Sequence, residues 1–294
     1  MKVYFACSPS KQHFELIKEE NVQSILVSYH YLKKPQELLR LLNGYEPERI
    51  MLDSGAFSVW SNGGKIDIEE YVKFCLELRD ILSPKIKLNI VNLDVLPGVW
   101  GFVPSKEDID RSAEQGWKNM EYMEYMGLKV IHTFHQHEDF RILEKLCNHS
   151  DYIGISPAND VSNKEKLAWM NKVFSFLQEK IKNGLKTHGF AVTSHRQLYN
   201  YPYYSADSSS WVTPARYGRI PIMTDKFEIK TFSYKDVNEI ERYWDYLKQV
   251  GIDVIADAKS WKGRTRIGIA TYRKLGEIAT RIWTERGVVY AENS

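Results

Sequence analysis

Cysteine is scarce: Cys7, Cys75 and Cys147 are the only three, far apart and without a Cys-x-x-Cys pair. That excludes a disulfide framework and the clustered ligands of a structural zinc site, and it suits a reducing, cytoplasmic compartment. No apolar run approaches the ~18 residues of a membrane span. The start, Met1 to Cys7, has too short an apolar stretch for a signal peptide. Charge of one sign is lacking too: 40 Lys and Arg face 38 Asp and Glu, a net +2, which argues against a protein that simply coats polyanions. What is present is apolar material. At 43% hydrophobic the chain can bury a sizeable core, so disorder is excluded, and 294 residues suffice for one large domain or two modest ones. The 18 Tyr and 8 Trp suit a packed core, while exposed aromatics can also stack on bases.

Short β-rich runs alternate with helical patterns through the first two-thirds of the chain. The expected strands are Val3–Cys7, Ser24–Ser28, Arg49–Asp53, Leu88–Asp94, Lys129–Phe134, Tyr152–Ser156, Lys186–Val192 and Tyr203–Asp207. They are apolar on both parities, as buried parallel strands are. Asp67 with Glu70, Ser162 with Glu165 and Ser194 with Gln197 have capping-box spacing, and Gly44, Gly127 and Gly184 stand where helices would stop. Eight such units predict a (β/α)8 TIM barrel in preference to an open doubly wound sheet. The pattern changes after Asp207: a hairpin or irregular segment around Arg219–Phe232, a helix Asp236–Val250 with a box at Asp236 and Glu239, and a last helix near Thr265–Trp283. The expected division is a barrel over 1–211 and a mostly helical, basic appendage over 212–294.

In a parallel barrel, active sites form at the C-terminal strand ends. Three expected ends carry carboxylates: Asp53, Asp94 and Asp207. Singly, each could cap the helix that follows. Together they suggest a metal site, or acid/base and nucleophilic work at a sugar centre. The segment Met51-Leu52-Asp53-Ser54-Gly55-Ala56-Phe57-Ser58-Val59 resembles the Asp-Ser-Gly-Gly-Phe-Gln segment of the queuine/archaeosine tRNA-guanine transglycosylases. Tyr152–Ser156 resembles that family's glycine-bearing strand, and Gly189–Thr193 stands where it has its next strand. Ala206-Asp207-Ser208 occupies the place of the nucleophile segment, and Thr213–Arg219 is similar to its Pro-Thr-Arg run. The order holds from about residue 49 to 219.

The family's CxCxxC…His zinc site is absent, since no cysteine follows Cys147. The chain therefore looks more like the compact phage and bacterial DNA 7-deazaguanine transglycosylases, which exchange guanine in DNA for a base such as preQ0. The resemblance implies Asp207 as nucleophile, Asp53 as acid and base, and Asp94 as the reader of the guanine edge. Ser54, Gly55, Phe57, Gly154, His135 and Gln136 would frame the base. It implies no metal or other cofactor, DNA or alternatively tRNA as partner, and the cytoplasm (the host's, if the chain is phage-encoded) as location.

Other features stay open. His132, His135 and His137 at a strand end could bind a metal for a barrel hydrolase, although period-2 spacing puts His132 on the face opposite His135. His188 and His195 read as pocket lining or as ordinary core and cap residues. Trp60, Trp100 and Trp211 follow strand ends and could stack on a base or pack at the rim. From Ala258 to Trp283, Lys259, Lys262, Arg264, Arg266, Arg273, Lys274 and Arg281 face Glu277 alone, a local net of +6. That run is either a solvated helix face or a phosphate track, which Arg216 and Arg219 would extend. Residues 212–294 carry a net +4, leaving about −2 for the barrel, so the near-neutral total hides a division of charge. A non-catalytic nucleic-acid-binding barrel would share these features.

Overall fold

The computed structural model describes residues 1–158, 161–192 and 194–290, with the backbone alone for 237–240. The main sheet holds β1 (Lys2–Cys7), β2 (Ser24–Ser28), β3 (Arg49–Asp53), β4 (Lys87–Val91), β5 (Val130–Ile131), β6 (Thr133–His135), β7 (Tyr152–Ser156), β8 (Lys186–Gly189) and β9 (Ser205–Ser208). Between them lie α1 (Lys11–Glu19), α2 (Pro35–Leu42), α3 (Ala56–Ser61), α4 (Ile68–Ile81), α5 (Lys106–Tyr125), α6 (Phe140–His149), α7 (Asn163–Lys182) and α8 (His195–Asn200). After β9 come α9 (Thr213–Arg216), the hairpin β10 (Arg219–Met223) and β11 (Ile229–Ser233), a 3-10 segment Tyr234–Tyr243, α10 (Asp245–Gln249), α11 (Val254–Asp257) and α12 (Trp261–Glu285).

The hydrogen-bonded order is β5-β4-β3-β2-β1-β9-β8-β7-β6. Its first and last members are two halves of one run, Val130–His135, parted at His132. The first half pairs with β4 (Ile90↔Val130) and the second with β7 (His135↔Ser156), both parallel. Eight strands connected this way have the topology of a (β/α)8 barrel. β2 and β3 pair in parallel from Ser24↔Arg49 to Ser28↔Asp53, and their interior residues are buried on both parities. A parallel sheet covered on both faces requires that pattern.

By internal contacts the chain divides into two compact units, one of 6–169 with 185–188, the other of 1–5, 170–184 and 189–294. The first contains β2 to β7 with α1 to α6. Asp67 accepts hydrogen bonds from the Glu69 and Glu70 amides at 2.9 and 3.0 Å and starts α4, and Ser162 with Glu165 closes the box before α7. Ser105 and Asp108 form a second reciprocal box, before α5, whereas no return bond from Glu70 is seen at Asp67 among the described residues. The Ser194 side chain accepts no capping hydrogen bond among the described residues; its carbonyl accepts from the Gln197 and Leu198 amides.

In the second unit the hairpin pairs antiparallel, Arg219↔Ser233 to Met223↔Ile229. Ile220, Ile222, Trp244, Leu247, Ile252, Val254 and Ile267 pack into a core between hairpin and helices. The helix expected over Asp236–Val250 is instead the 3-10 segment followed by α10. Ser233 caps it by accepting from the Lys235 amide, and Asp236 has non-helical dihedrals (φ −100°, ψ 19°). The Glu239 side chain and Thr193 lie outside the described residues. Strand ends also shift: β4 stops at Val91, leaving Asp94 in the following loop, and β8 stops at Gly189 because Ala191 turns through φ +53°.

Candidate active site

At the end of β3 the chain turns sharply through Asp53-Ser54-Gly55. Gly55 has φ +78°, and a Cβ there would lie 2.5 Å from His30 Cβ and 2.6 Å from Ser28 Oγ. Only glycine meets both demands. Asp53 Oδ2 accepts a hydrogen bond from the Gly55 amide at 3.0 Å, and buried Ser54 accepts from the Ala56 amide at 3.3 Å. Asp53 therefore braces its own turn, while Gly55 occupies the N-cap of α3. Phe57 is 43% exposed and meets Trp60 and Trp100 with ring centroids 6.0 and 5.4 Å away. The Trp60 indole donates to the Gly98 carbonyl.

Asp94, His135 and Glu138 form one group. His135 Nε2 lies 3.4 Å from Asp94 Oδ2, and its Nδ1 lies 3.2 Å from Glu138 Oε1. Burial opposes charge on this imidazole, but the carboxylates of Asp94 and Glu138 outweigh it and raise the pKa to about 10. Asp94 Oδ1 is buried and has no hydrogen-bond partner among the described residues. Asp53 and Asp94 act on a common neighbour, Tyr71, which is buried in α4 and donates to the Val91 carbonyl at 2.8 Å. Burial, then Cys75, then these carboxylates hold its hydroxyl well above its usual pKa. Gln136 Oε1 accepts from the Ala158 amide, and its own amide donates to the Ser156 carbonyl. Gly154 pairs with Thr133 inside β7, and its amide donates to the His132 carbonyl.

The three histidines part company. His132 is buried, accepts at Nδ1 from the Asn92 amide at 2.6 Å and meets Trp117 edge-on. Burial lowers its pKa. His137 is exposed on a turn at φ +88°. Among the described residues no three His, Cys, Asp or Glu side chains are grouped to hold a metal ion. Two of the thiols are quiet: burial raises Cys7 and pushes Cys75 up to about 12. His188 is a fully buried strand residue, and His195 opens α8, 4.0 Å from Glu228.

In the second unit Asp207 stands opposite Tyr4 in the β1–β9 ladder. Its Oδ1 accepts from the Ala191 amide at 2.8 Å, so the left-handed turn after β8 fixes the carboxylate. Next to it, Ser208 Oγ accepts from the Ser210 amide, and Tyr272 of α12 hydrogen-bonds both serines. Trp211 is fully buried and packs edge-on against Phe5 at 5.8 Å, so it belongs to the core and cannot stack on a base. The basic residues divide in two. Arg216, Arg219, Lys259 and Lys262 are exposed. Arg264 is spent on the fold: it donates to the carbonyls of Ala215 and Ala258 at 3.1 and 2.9 Å. Arg266 pairs with Asp257 at 3.1 Å, and Arg273 is half-buried.

Glu138 is the residue of this group that sequence reasoning missed. Its only signal is the i+3 spacing from His135 in His135-Gln136-His137-Glu138. No protein-family model matches the chain, and no curated protein matches it either. Among the described residues no helix is long and apolar enough to cross a membrane.

Proposed function

We propose that the protein is a base-exchange transglycosylase that replaces guanine in DNA with a 7-deazaguanine of the preQ0 type. The observation that carries this reading is Asp94: one carboxylate oxygen faces His135, and the other is buried without a hydrogen-bond partner among the described residues. Such an oxygen is costly to leave unpaired and suits the N1–H and amino donors of a guanine edge. The resemblance at Asp53-Ser54-Gly55 and Ala206-Asp207-Ser208 supplies the chemistry.

In this reading Asp207 attacks the sugar C1′ and the C1′–N bond to guanine breaks, its electron pair leaving on the base. Asp53 gives its proton to the departing guanine, then takes one from the incoming base. That base attacks C1′ and releases the Asp207 carboxylate, so two inversions restore the original configuration. Carboxylates suffice, without a metal or other cofactor. A target base in a duplex must be flipped out or read from a single strand. Exposed Arg216, Arg219, Lys259 and Lys262 would contact phosphates, and the cytoplasm is the proposed location.

Radiolabelled guanine offered with DNA or with tRNA tests the reading. Incorporation into DNA supports it; incorporation into tRNA alone selects the tRNA-acting alternative. Nucleic-acid binding without exchange would make the chain a binding protein. The hydrolase alternative is the weaker one, because His132 is buried with its Nδ1 engaged by the Asn92 amide.

A further inference from the structure

We propose that Glu138, acting through His135, is the positioning residue that fixes Asp94 for reading the base. This inference rests on the base-exchange reading and adds a residue to it. Glu138 grips His135 at two points: Oε2 accepts from its backbone amide at 2.9 Å and Oε1 faces ring Nδ1 at 3.2 Å. The turn at His137, with φ +88°, folds Glu138 back, and its own amide donates to the His135 carbonyl at 3.2 Å. Glu138 is 9% exposed, His135 20% and Asp94 14%, so solvent screens this chain of charges little.

The grip has two chemical consequences. With Nδ1–H given to Glu138, the ring is oriented so that Nε2–H meets Asp94 Oδ2. An imidazolium between two carboxylates also keeps Asp94 ionised, an acceptor at both oxygens. The charged and titratable groups around the ring are Asp94 from the loop after β4, Glu138 from the turn after β6, and His132 from the same run of strand. The two carboxylates support its proton, and burial lowers the pKa of His132. With Nε2–H turned to Oδ2, Asp94 Oδ1 is left as a buried acceptor without a hydrogen-bond partner among the described residues. Such an acceptor complements the N1–H of a lactam edge and opposes the bare N1 of adenine. Removing the Glu138 charge should let His135 lose its proton near neutrality and release Asp94.

The test compares Glu138→Gln and Glu138→Asp with the wild type, using free 7-deazaguanine base as the varied substrate. Wild-type KM should stay flat from pH 6 to 8. In Glu138→Gln, KM should rise about tenfold or more towards pH 8 while kcat stays within about threefold, because ground-state reading of the base is what fails. Glu138→Asp, which keeps the charge, should recover most of the loss. NMR titration of the His135 ring gives an independent readout: protonated through pH 8 in the wild type, deprotonating below pH 8 in Glu138→Gln. An unchanged titration with an unchanged KM profile in Glu138→Gln would overturn the proposal. If the wild type exchanges no base, the exchange reading fails by itself. Calorimetry with 7-deazaguanine against adenine, in wild type and Glu138→Gln, then decides the positioning role: equal affinities in the two proteins overturn it.

Discussion

Two histidines three residues apart have their pKa values shifted in opposite directions. His135 has its pKa raised from 6.5 to about 10, so its stabilising contribution is complete below about pH 6.5 and is lost as pH rises towards 10. His132 has its pKa lowered by burial, so its contribution is present above 6.5 and is lost as the solution turns acid. Unfolding of the wild type and of His135→Gln should therefore differ most near pH 6 and converge towards pH 10. A pH-independent difference would mean that the ring is not held as a cation. The corresponding comparison for His132→Gln should show the gap shrinking below pH 6. At this scale the sequence placed Asp53 at the end of its strand, as β3 has it, but Asp94 lies three residues beyond the end of β4. Glu138 was not legible, because what gives it meaning is its approach to a ring that also faces Asp94, 44 positions upstream of it, and no local pattern encodes that.

Among the elements, α12 takes in the last helix expected near Thr265–Trp283 and starts earlier, at Trp261. Its basic residues suggest a solvated face, yet Thr265, Ile267, Gly268, Ile269, Thr271 and Tyr272 are buried. The helix comes so close to the chain at Trp211 that a Cβ on Gly268 would lie 2.0 Å from the Trp211 carbonyl oxygen. Backbone cannot yield there as a side-chain tip would. Gly268→Val should cost about 3 kcal/mol or more, read as a lower denaturant midpoint, and because Tyr272 hydrogen-bonds Ser208 and Ser210 it should also disturb the Asp207 segment. A midpoint within experimental error of wild type would contradict the packing. Strands bounded by clear turn chemistry, such as Arg49–Asp53 before Ser54-Gly55, match their sequence limits. β8 does not, because its end is set by a left-handed alanine, a conformation that composition does not signal.

Across the whole chain, the near-neutral charge conceals residues 212–294 with their net +4. Not all of that charge is available to a polyanion, since Arg264 is committed to two carbonyls and Arg266 to Asp257. Those commitments were invisible in sequence because Ala215 lies 49 positions from Arg264. Charge reversal at Arg216, Arg219, Lys259 and Lys262 should weaken DNA binding and lower the slope of log K against log salt by roughly 0.9 for each phosphate left without its cation. Reversal at Arg264 should instead lower the unfolding midpoint. An unchanged salt slope in the fourfold variant would argue that these four side chains do not meet phosphates. The (β/α)8 fold itself was legible from alternation, whereas the interruption at His132, where one run changes partners from β4 to β7, was not.

The proposed covalent exchange at Asp207 is measured most directly by mass spectrometry of the protein and its DNA product. After incubation with guanine-containing DNA and preQ0, digested nucleosides should contain the 7-deazaguanine deoxynucleoside. A trapped sugar adduct should map to Asp207 and vanish, together with the exchange, in Asp207→Asn, which should still bind DNA. Full exchange by Asp207→Asn, or an adduct on any other residue, would contradict the account.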